Sequence, residues 1–298
     1  MREGAKNLKT DKELFFDSKS TVDSERIIYT PSDFAKTSLF YLQETGGLKA
    51  KAPHTSSRSN LSSYLFFIVE EGEGQLSYGD EVFSLKVGDC VFIDCKKPYS
   101  HTTGVALWKL RWAHFYGPNM SSVYEKYVSR GGKPVFKAKS PSDYIELLSE
   151  LYAIADSQDY IRDMKIHEKL SGLLVMLMEQ SVYTVEKSAF GKLPQLQQVK
   201  DYIDRNYTER ITLDFLSERF YINKYYLLEI FKRHYGMGVN QYLIHMRITK
   251  SKGLLRFTAK TVEEIAYECG MNSPHYFCRI FKKVEGISPS EYRRSWVK

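Results

Sequence analysis

The pattern of apolar positions in the first part of the chain is that of a β-rich domain. From Ile27 to about Tyr116, short apolar runs alternate with glycine turns such as Glu71–Gly74 and Val87–Asp89. Short strands at this spacing are typical of a β-barrel or jelly roll. The predicted strands are Leu39–Leu42, Tyr64–Val69, Gln75–Tyr78, Val82–Leu85, Cys90–Ile93 and Ala106–Phe115.

After Pro118 the apolar residues recur at steps of three and four, which predicts helices. One helix covers Ser142–Ala155, with Ser140 as its cap and Pro141 in its first turn. A second covers Ile161–Met178. With 298 residues, the chain is long enough for two domains. The predicted organisation is an N-terminal arm (1–26), an α+β first domain (27–183), a linker (184–193) and an all-helical second domain (194–298).

The helical domain contains an internal repeat. At a shift of 50 residues, Tyr226, Ile230, Phe231, Lys232, Gly236 and Tyr242 fall on Tyr276, Ile280, Phe281, Lys282, Gly286 and Tyr292. Further upstream the shift is 49, so that Leu216 falls on Ile265 and Ser217 on Ala266. One residue has therefore been gained in the turn between the paired helices, and two copies of one helical unit are present.

Each copy has the sequence features of a helix-turn-helix unit. In the first copy Thr212 and Asn223 are the predicted helix caps, with Phe215, Leu216, Leu227, Ile230 and Phe231 in the core. In the second, Thr261 caps one helix, Ser273 and Pro274 start the next, and Gly270 forms the turn. Val262, Ile265, Ala266, Phe277, Ile280 and Phe281 are the predicted core of this copy. A helix over Gly238–Leu255 joins the units.

The net positive charge of the chain comes entirely from the region of the repeat. Lys and Arg number 43 against 36 Asp and Glu, for a net charge of +7. Residues 194–298 contain 18 basic and 11 acidic side chains, whereas residues 1–193 contain 25 of each. A neutral sensing module joined to a polyanion-binding one explains this distribution. A helical protein-interaction domain with solvated lysines is the alternative, but two registered copies carrying all the excess charge favour DNA.

Other classes of protein lack support in the sequence. No apolar run approaches the ~20 residues that span a bilayer, and residues 1–8 lack the apolar core of a secretory signal. The four cysteines show no CxxC spacing, which argues against a zinc ribbon or a disulfide scaffold. We therefore expect a reduced, cytoplasmic protein without a cofactor or membrane partner.

A family resemblance rests on two segments near the C-terminus. Tyr276–Lys283 and Gly286–Arg293 resemble the signature of AraC-type transcriptional regulators, and the resemblance covers Leu193–Trp296. More loosely, Gly72–Gly74, Gly88–Asp89 and Trp112–Phe115 resemble the cupin-like effector domain of the sugar-responsive members. The resemblance implies a homodimer whose contact lies at Ile161–Met178 or its neighbour. Its implied partners are double-stranded DNA and a small-molecule effector, with RNA polymerase as a further candidate.

The resemblance further implies that the second helices of both units enter successive major-groove segments on one face of the DNA. The candidates for base reading are Lys224, Tyr225, Glu229, Ser273, Pro274, His275 and Arg279. Arg279 is the strongest, because a guanidinium can pair with guanine O6 and N7. The candidates for phosphate contact are Asn223, Lys232, Arg233, Tyr276, Lys282 and Lys283.

The first reading helix departs from common family members. It carries Leu228 and Glu229 where basic or amide residues are usual. Glu229 can accept a hydrogen bond from a cytosine amino group or pair with Arg233 four residues on, and the sequence leaves both open. The first unit can therefore serve mainly to anchor or bend DNA.

The first domain offers an effector site more readily than a metal site. A metal-dependent cupin isomerase or dioxygenase is the enzyme alternative, but His54 and His101 lack the companions that a metal needs. Alternation puts Trp108, Leu110, Trp112 and His114 on one strand face, where an indole suits a sugar ring. By resemblance to the arabinose-sensing member, the effector candidates include Arg58, Thr102, Leu110 and Trp112; His101 and Trp108 complete the set. Leu110 replaces a histidine there, which speaks against arabinose itself. The alternative is that the tryptophans fill the core.

Overall fold

The computed structural model describes residues 21–188 and 193–296, with side chains for residues 21–181 and 195–296. The chain divides into two compact units, here called the N-terminal unit, which ends at Ser181, and the C-terminal unit, which starts at Val182 and with which Ser129–Gly131 are grouped. Within the described ranges, no helix combines the length and the apolar character needed to cross a membrane.

The N-terminal unit contains two antiparallel sheets. The strands are β1 (Val22–Ile28), β2 (Tyr41–Ala50), β3 (Thr55–Arg58), β4 (Tyr64–Glu71), β5 (Glu73–Tyr78), β6 (Glu81–Lys86), β7 (Asp89–Asp94), β8 (Tyr99–Thr103), β9 (Lys109–Tyr116) and β10 (Val135–Lys137). One sheet has the order β1-β2-β9-β4-β7-β10 and the other the order β3-β8-β5-β6. The sheets form a jelly-roll-like sandwich rather than a closed barrel, which confirms the predicted fold class.

The sequence of strand β4 is apolar without alternation because both faces of the strand are buried. Tyr64, Phe66 and Ile68 belong to a core on one face of the larger sheet. Leu65, Phe67 and Val69 belong to a second core, which also contains residues of the smaller sheet. A strand buried on both faces needs apolar side chains at every position.

Helices cover the outer face of the larger sheet. They are α1 (Asp33–Ser38), α2 (Met120–Ser129), α3 (Pro141–Asp156) and α4 (Arg162–Ser188). Leu148, Leu151, Leu170 and Leu173 of α3 and α4 join the outer core, so both predicted helices are confirmed. Ser140 is the N-cap residue of α3, but its side chain makes no capping hydrogen bond.

Two predicted segments contain more regular structure than the sequence pattern indicated. The predicted arm (1–26) lies largely outside the described residues, but Val22–Ile28 is paired with β2 along its length. The predicted linker (184–193) overlaps α4, which continues to Ser188. The sequence has no Gly or Pro between Gly172 and Gly191, so loss of the apolar period alone did not end the helix. Residues 189–192 lie outside the described residues.

The C-terminal unit is helical throughout its described length. Its helices are α5 (Leu193–Arg205), α6 (Leu213–Arg219), α7 (Lys224–Tyr235), α8 (Val239–Phe257), α9 (Val262–Glu268), α10 (Pro274–Glu285) and α11 (Pro289–Trp296). One core includes Leu216, Leu227 and Phe231 of the first copy. A separate core includes Ile265, Phe277 and Phe281 of the second. The predicted all-helical domain with two small cores is confirmed.

Candidate nucleic-acid interface and candidate effector cavity

The pairs α6–α7 and α9–α10 are two helix-turn-helix units in the register of the sequence repeat. The predicted caps are confirmed: Thr212 accepts from the Phe215 amide and Thr261 from the Glu264 amide. At the second helices, Asn223 accepts from the amides of Tyr225 and Tyr226, and Ser273 from the amide of Tyr276. Helices α7 and α10 both end at a glycine in the left-handed region, Gly236 and Gly286.

The turns of the two units also correspond, and they locate the extra residue. Tyr221 and Gly270 take the same left-handed position, with φ of 52° and 74°. The next amides bond back alike, Ile222 to the Ser217 carbonyl at 3.1 Å and Met271 to the Ala266 carbonyl at 2.9 Å. Asn223 follows Ile222 directly as the cap, whereas Asn272 intervenes between Met271 and Ser273. Asn272 is therefore the residue gained in the second turn.

Three predicted core positions are corrected by the structure. Phe215 is 37% exposed and packs on the surface against Tyr202, with their ring centroids 5.6 Å apart. Val262 and Ile280 are only partly buried at the edge of the second core. All three side chains lie at the margin of an apolar stripe on their helices, and the stripe pattern does not separate its centre from its margin.

The reading face of α10 is basic and exposed. Arg279 and His275 are both exposed. The guanidinium of Arg279 lies 5.4 Å from the centroid of the Tyr276 ring. In the described part of the chain, no carboxylate lies within 4.0 Å of the Arg279 guanidinium, the distance limit for a salt bridge. Pro274 is in the first turn, while Ser273 uses its hydroxyl oxygen in the cap.

The reading face of α7 differs because Lys224 and Glu229 are both held in ion pairs. Lys224 pairs with Asp214 of α6 at 2.5 Å, and this hydrogen bond raises the pKa of Lys224. Glu229 pairs with Arg233 one turn along the helix. Tyr225, which is 78% exposed, and Leu228 are left as the uncharged part of this face.

The other candidates for phosphate contact lie at the two ends of the reading helices. Lys232, Lys282 and Lys283 are exposed in the last turns, where cations also suit the helix dipole. Asn223 caps α7 through its side-chain oxygen, which leaves its amide nitrogen available as a donor.

The N-terminal unit contains a cavity of about 530 Å³, a size suited to a small-molecule ligand. Arg58, His101, Leu110 and Trp112 line it, as proposed from the sequence. Thr102 does not, because it lies on the opposite face of β8 and its hydroxyl is 3.0 Å from that of Thr55. Trp108 does not line the cavity either.

Trp108 lies in the core beneath the cavity rather than at its surface. It is fully buried, with its ring centroid 5.8 Å from that of His101. A side chain at Gly74 would overlap the ring, since its Cβ would lie 2.3 Å from a Trp108 carbon. Trp108 therefore matches the core-filling interpretation, whereas Trp112 has the position of a ligand contact.

Most of the lining residues were not among the effector candidates, and four of them carry polar or charged groups of particular interest. Arg26, Gln43, Glu44 and His54 all face the cavity. Arg26 is on β1, and it pairs with Glu44 at 3.4 Å and lies 5.5 Å above the Trp112 ring. Gln43 lies at an irregularity in the pairing of β2 with β9. Their common signal, polar side chains on edge or irregular strands, is recognisable only once the strand pairing is known.

The three cavity histidines are neutral at pH 7. Burial is the main cause that lowers the pKa of His101 and of His114, each to about 4. Burial also lowers the pKa of His54. Ser63 bonds His114 Nδ1 at 2.9 Å, and Thr103 bonds His54 Nδ1 at 2.7 Å.

Three buried polar atoms of the lining residues have no hydrogen-bond partner in the part of the chain that the structure describes. They are His54 Nε2, His101 Nδ1 and Gln43 Oε1. Leaving such an atom unpaired costs about 1–3 kcal/mol, which a polar ligand or a bound water can offset. Across residues 21–188 and 193–296, no group of three His, Cys, Asp or Glu side chains is arranged to hold a metal ion.

Comparison with known proteins agrees with the repeat in the C-terminal unit. The family model described as "Helix-turn-helix domain" matches residues 216–295. The uncharacterized HTH-type transcriptional regulator YijO of Escherichia coli (strain K12) is 40% identical over 98 residues, which are 33% of this chain and 35% of that relative. The lactose operon transcription activator of Staphylococcus xylosus is 25% identical over 76% of this chain and 82% of its own length.

A solved structure is similar to about a third of the chain. The C-terminal domain of AraT, a response regulator from Geobacillus stearothermophilus, is 31% identical, with a TM-score of 0.34, over 34% of this chain and 85% of that one. Two registered helix-turn-helix units define a class of DNA-binding protein. Within that class, residues 216–295 match a helix-turn-helix family, and the relatives YijO and the lactose operon transcription activator are named as regulators of transcription. Because the matched relatives are regulators, the enzyme alternative is set aside.

Proposed function

We propose that this protein controls transcription by binding DNA through α7 and α10 while its N-terminal cavity binds a small carbohydrate effector. The observation that carries the proposal is the pair of helix-turn-helix units in one register, each with an exposed second helix. The excess positive charge of residues 194–298 supports a polyanionic partner. A cytoplasmic location follows from this role.

The two reading helices have different tasks in this proposal. Helix α10 reads bases, because Arg279 is exposed and His275 lies one turn before it. Helix α7 offers Tyr225 and Leu228 for apolar contact with thymine methyl groups. The terminal lysines Lys232, Lys282 and Lys283 bind phosphates and fix the register of the protein on the duplex.

A carbohydrate fits the cavity for chemical reasons. Trp112 offers an aromatic face to an apolar ring face, and the unpaired atoms of His54, His101 and Gln43 offer hydrogen bonds to hydroxyl groups. The name of one relative points the same way: the lactose operon transcription activator of Staphylococcus xylosus. Pairing of Arg26 with Glu44 and its approach to Trp112 link β1 to the effector site.

Effector binding controls which DNA half-sites a homodimer bridges. Met164 and Val175 of α4, with Ile161 directly before the helix, are exposed apolar residues for the dimer contact. The predicted arm (1–26) lies largely outside the described residues, and its described part contributes Arg26 of β1 to the cavity. RNA polymerase is a further proposed partner.

Selection of genomic fragments by the full-length protein tests this function. We expect one enriched sequence motif, bound with an affinity that falls steeply as salt rises. Repeating the selection with neutral and acidic monosaccharides should change affinity or half-site spacing for at least one sugar. If no duplex is bound in dilute buffer, the DNA-binding function is wrong; if no sugar changes the selection, the carbohydrate effector is wrong.

A further inference from the structure

The charged groups around the cavity leave one positive charge without a counterpart. Its charged lining residues are Arg26, Arg58 and Glu44. Glu44 is the only acidic residue among the described lining residues, and its carboxylate lies 3.4 Å from Arg26. His54, His101 and His114 add no charge at neutral pH, since burial lowers the pKa of each.

Arg58 is the unpaired cation. Its side chain donates to the Ser57 carbonyl at 3.0 Å, a bond that leaves most of its five N–H donors available. Among the residues that the structure describes, no carboxylate lies within 4.0 Å of its guanidinium. The positive charge of Arg58 lowers the pKa of both His101 and His114, so it acts on the interior of the cavity.

Neutral polar groups line the cavity together with Arg58. His101 lies on β8 and His54 directly before the neighbouring strand β3, and both rings pack on Trp108. Among the described residues, His101 Nδ1 and His54 Nε2 have no hydrogen-bond partner. Trp112 lies on β9, where its indole fits against Gly46; a Cβ there would lie 2.9 Å from the ring. The cavity thus combines an aromatic face, neutral hydrogen-bonding atoms and one free guanidinium.

We infer that the effector is an acidic carbohydrate, a uronic acid whose single carboxylate binds Arg58. This inference rests on the proposed carbohydrate function and specifies its ligand class. The ring and hydroxyl groups face Trp112, His54 and His101, while the carboxylate accepts the paired N–H donors of the guanidinium. Charge-assisted hydrogen bonds of this kind are roughly twice as strong as neutral ones, so the carboxylate contributes selectivity as well as affinity.

Calorimetric titration of the full-length protein compares sugars that differ only at the carboxylate. The ligands are galacturonate and glucuronate against galactose and glucose, with acetate and glucose 6-phosphate as further probes. We expect one uronate to bind at least about tenfold more tightly than its neutral counterpart. Arg58→Gln should reduce that ratio to within about twofold, and Arg58→Lys should retain part of it.

The matched control is Lys86→Gln, which removes a positive charge from β6, outside the cavity lining. It should leave the ratio unchanged, and melting temperatures of all variants should agree because Arg58 and Lys86 are exposed. Neutral sugars binding as tightly as the acids would overturn the acidic ligand while leaving a carbohydrate effector in place. Acetate or the sugar phosphate binding as tightly as the uronate would overturn the sugar-acid class. An unchanged ratio of uronate to neutral-sugar affinity in Arg58→Gln would overturn the role of Arg58. No binding by any sugar would overturn the proposed effector function itself.

Discussion

Gly270 and Thr208 make a backbone contact that joins the two helix-turn-helix units. A Cβ on Gly270 would lie 2.2 Å from the Thr208 carbonyl oxygen. Arg247 of α8 binds both sides of the same loop, donating to the carbonyls of Tyr207 and Glu209 at 2.7 Å each. The turn of the second unit therefore rests on the loop that precedes α6 of the first, and this contact fixes the relative orientation of the two units.

Gly270→Ala should destabilise the C-terminal unit and weaken DNA binding. The left-handed conformation alone costs a non-glycine residue about 1–2 kcal/mol. The new Cβ would also clash with the backbone of Thr208, and backbone atoms cannot avoid a clash by changing rotamer as a side chain can. Because the loop must shift, we expect the spacing between the two reading helices to change. Urea denaturation measures the stability loss, and gel-shift titration of the selected operator measures the loss of affinity.

Two other glycines separate these causes. Gly286 is also left-handed, with φ of 82°, but nothing lies within 4 Å of its Cβ position. Gly286→Ala should therefore show only the conformational cost. Gly253 lies inside α8 with open space around it, and Gly253→Ala should stabilise the helix by up to about 1 kcal/mol. Equal losses for Gly270→Ala and Gly286→Ala would contradict the contact with Thr208.

Arg279→Ala should relax sequence preference at one base pair of the operator. The exposed guanidinium is placed early in α10, and bidentate pairing with guanine supplies about 1–3 kcal/mol of discrimination. Affinity for random DNA should fall much less. Binding to a set of single-base operator variants measures the effect, and similar losses on operator and random duplexes would refute base reading by Arg279.

Lys282→Ala should weaken binding to all duplexes to a similar degree. Lys282 lies in the last turn of α10 and is exposed, as suits a phosphate contact. Loss of one such contact should reduce the slope of log affinity against log salt by about 1. Titration at several salt concentrations gives the slope; a loss restricted to one base position would instead assign Lys282 to base reading.

Glu229→Gln should strengthen binding to DNA of any sequence. Glu229 corresponds in the repeat to Arg279 of α10, and its carboxylate holds Arg233. Removing the charge releases Arg233 for a phosphate and also removes a repulsion from the polyanion. The exposed Glu81 of β6 provides the control Glu81→Gln. Relaxed preference at one cytosine, with weaker operator binding, would show that Glu229 reads a base.

The repeat could be predicted from the sequence because its signals are local. Thr212, Asn223, Thr261 and Ser273 cap helices through bonds that span two or three residues, and Gly270 marks its turn by backbone conformation. Because these interactions join residues that are close in the sequence, the sequence alone is sufficient to predict them.

The cavity could be predicted only in part, because strand pairing over long distances creates it. The alternation of Leu110, Trp112 and His114 along β9 was sufficient to identify one wall. Arg26 reaches the cavity because β1, a strand with few apolar residues, pairs with β2. No local signal in Val22–Ile28 predicts that pairing, because tertiary contacts rather than β-propensity determine that these residues form a strand.

Acidification should destabilise the N-terminal unit well above the range in which carboxylates protonate. In the folded state burial lowers the pKa of His101 and of His114 to about 4, whereas an exposed histidine titrates near 6.5. Between these values the unfolded chain binds protons that the folded chain does not. Stability is therefore complete above about pH 6.5 and falls progressively as the pH decreases toward 4.

Urea denaturation monitored by tryptophan fluorescence at pH 7.5 and pH 5 measures this loss, because Trp108 and Trp112 lie in the same unit as the histidines. His101→Gln should be less stable at pH 7.5 but should lose less on acidification, since one of the three proton-binding differences, those of His54, His101 and His114, is gone. The exposed His275 provides the control His275→Gln, which should keep the full pH dependence of this transition. An identical loss in His101→Gln and in the unaltered chain would show that His101 is not a buried neutral group.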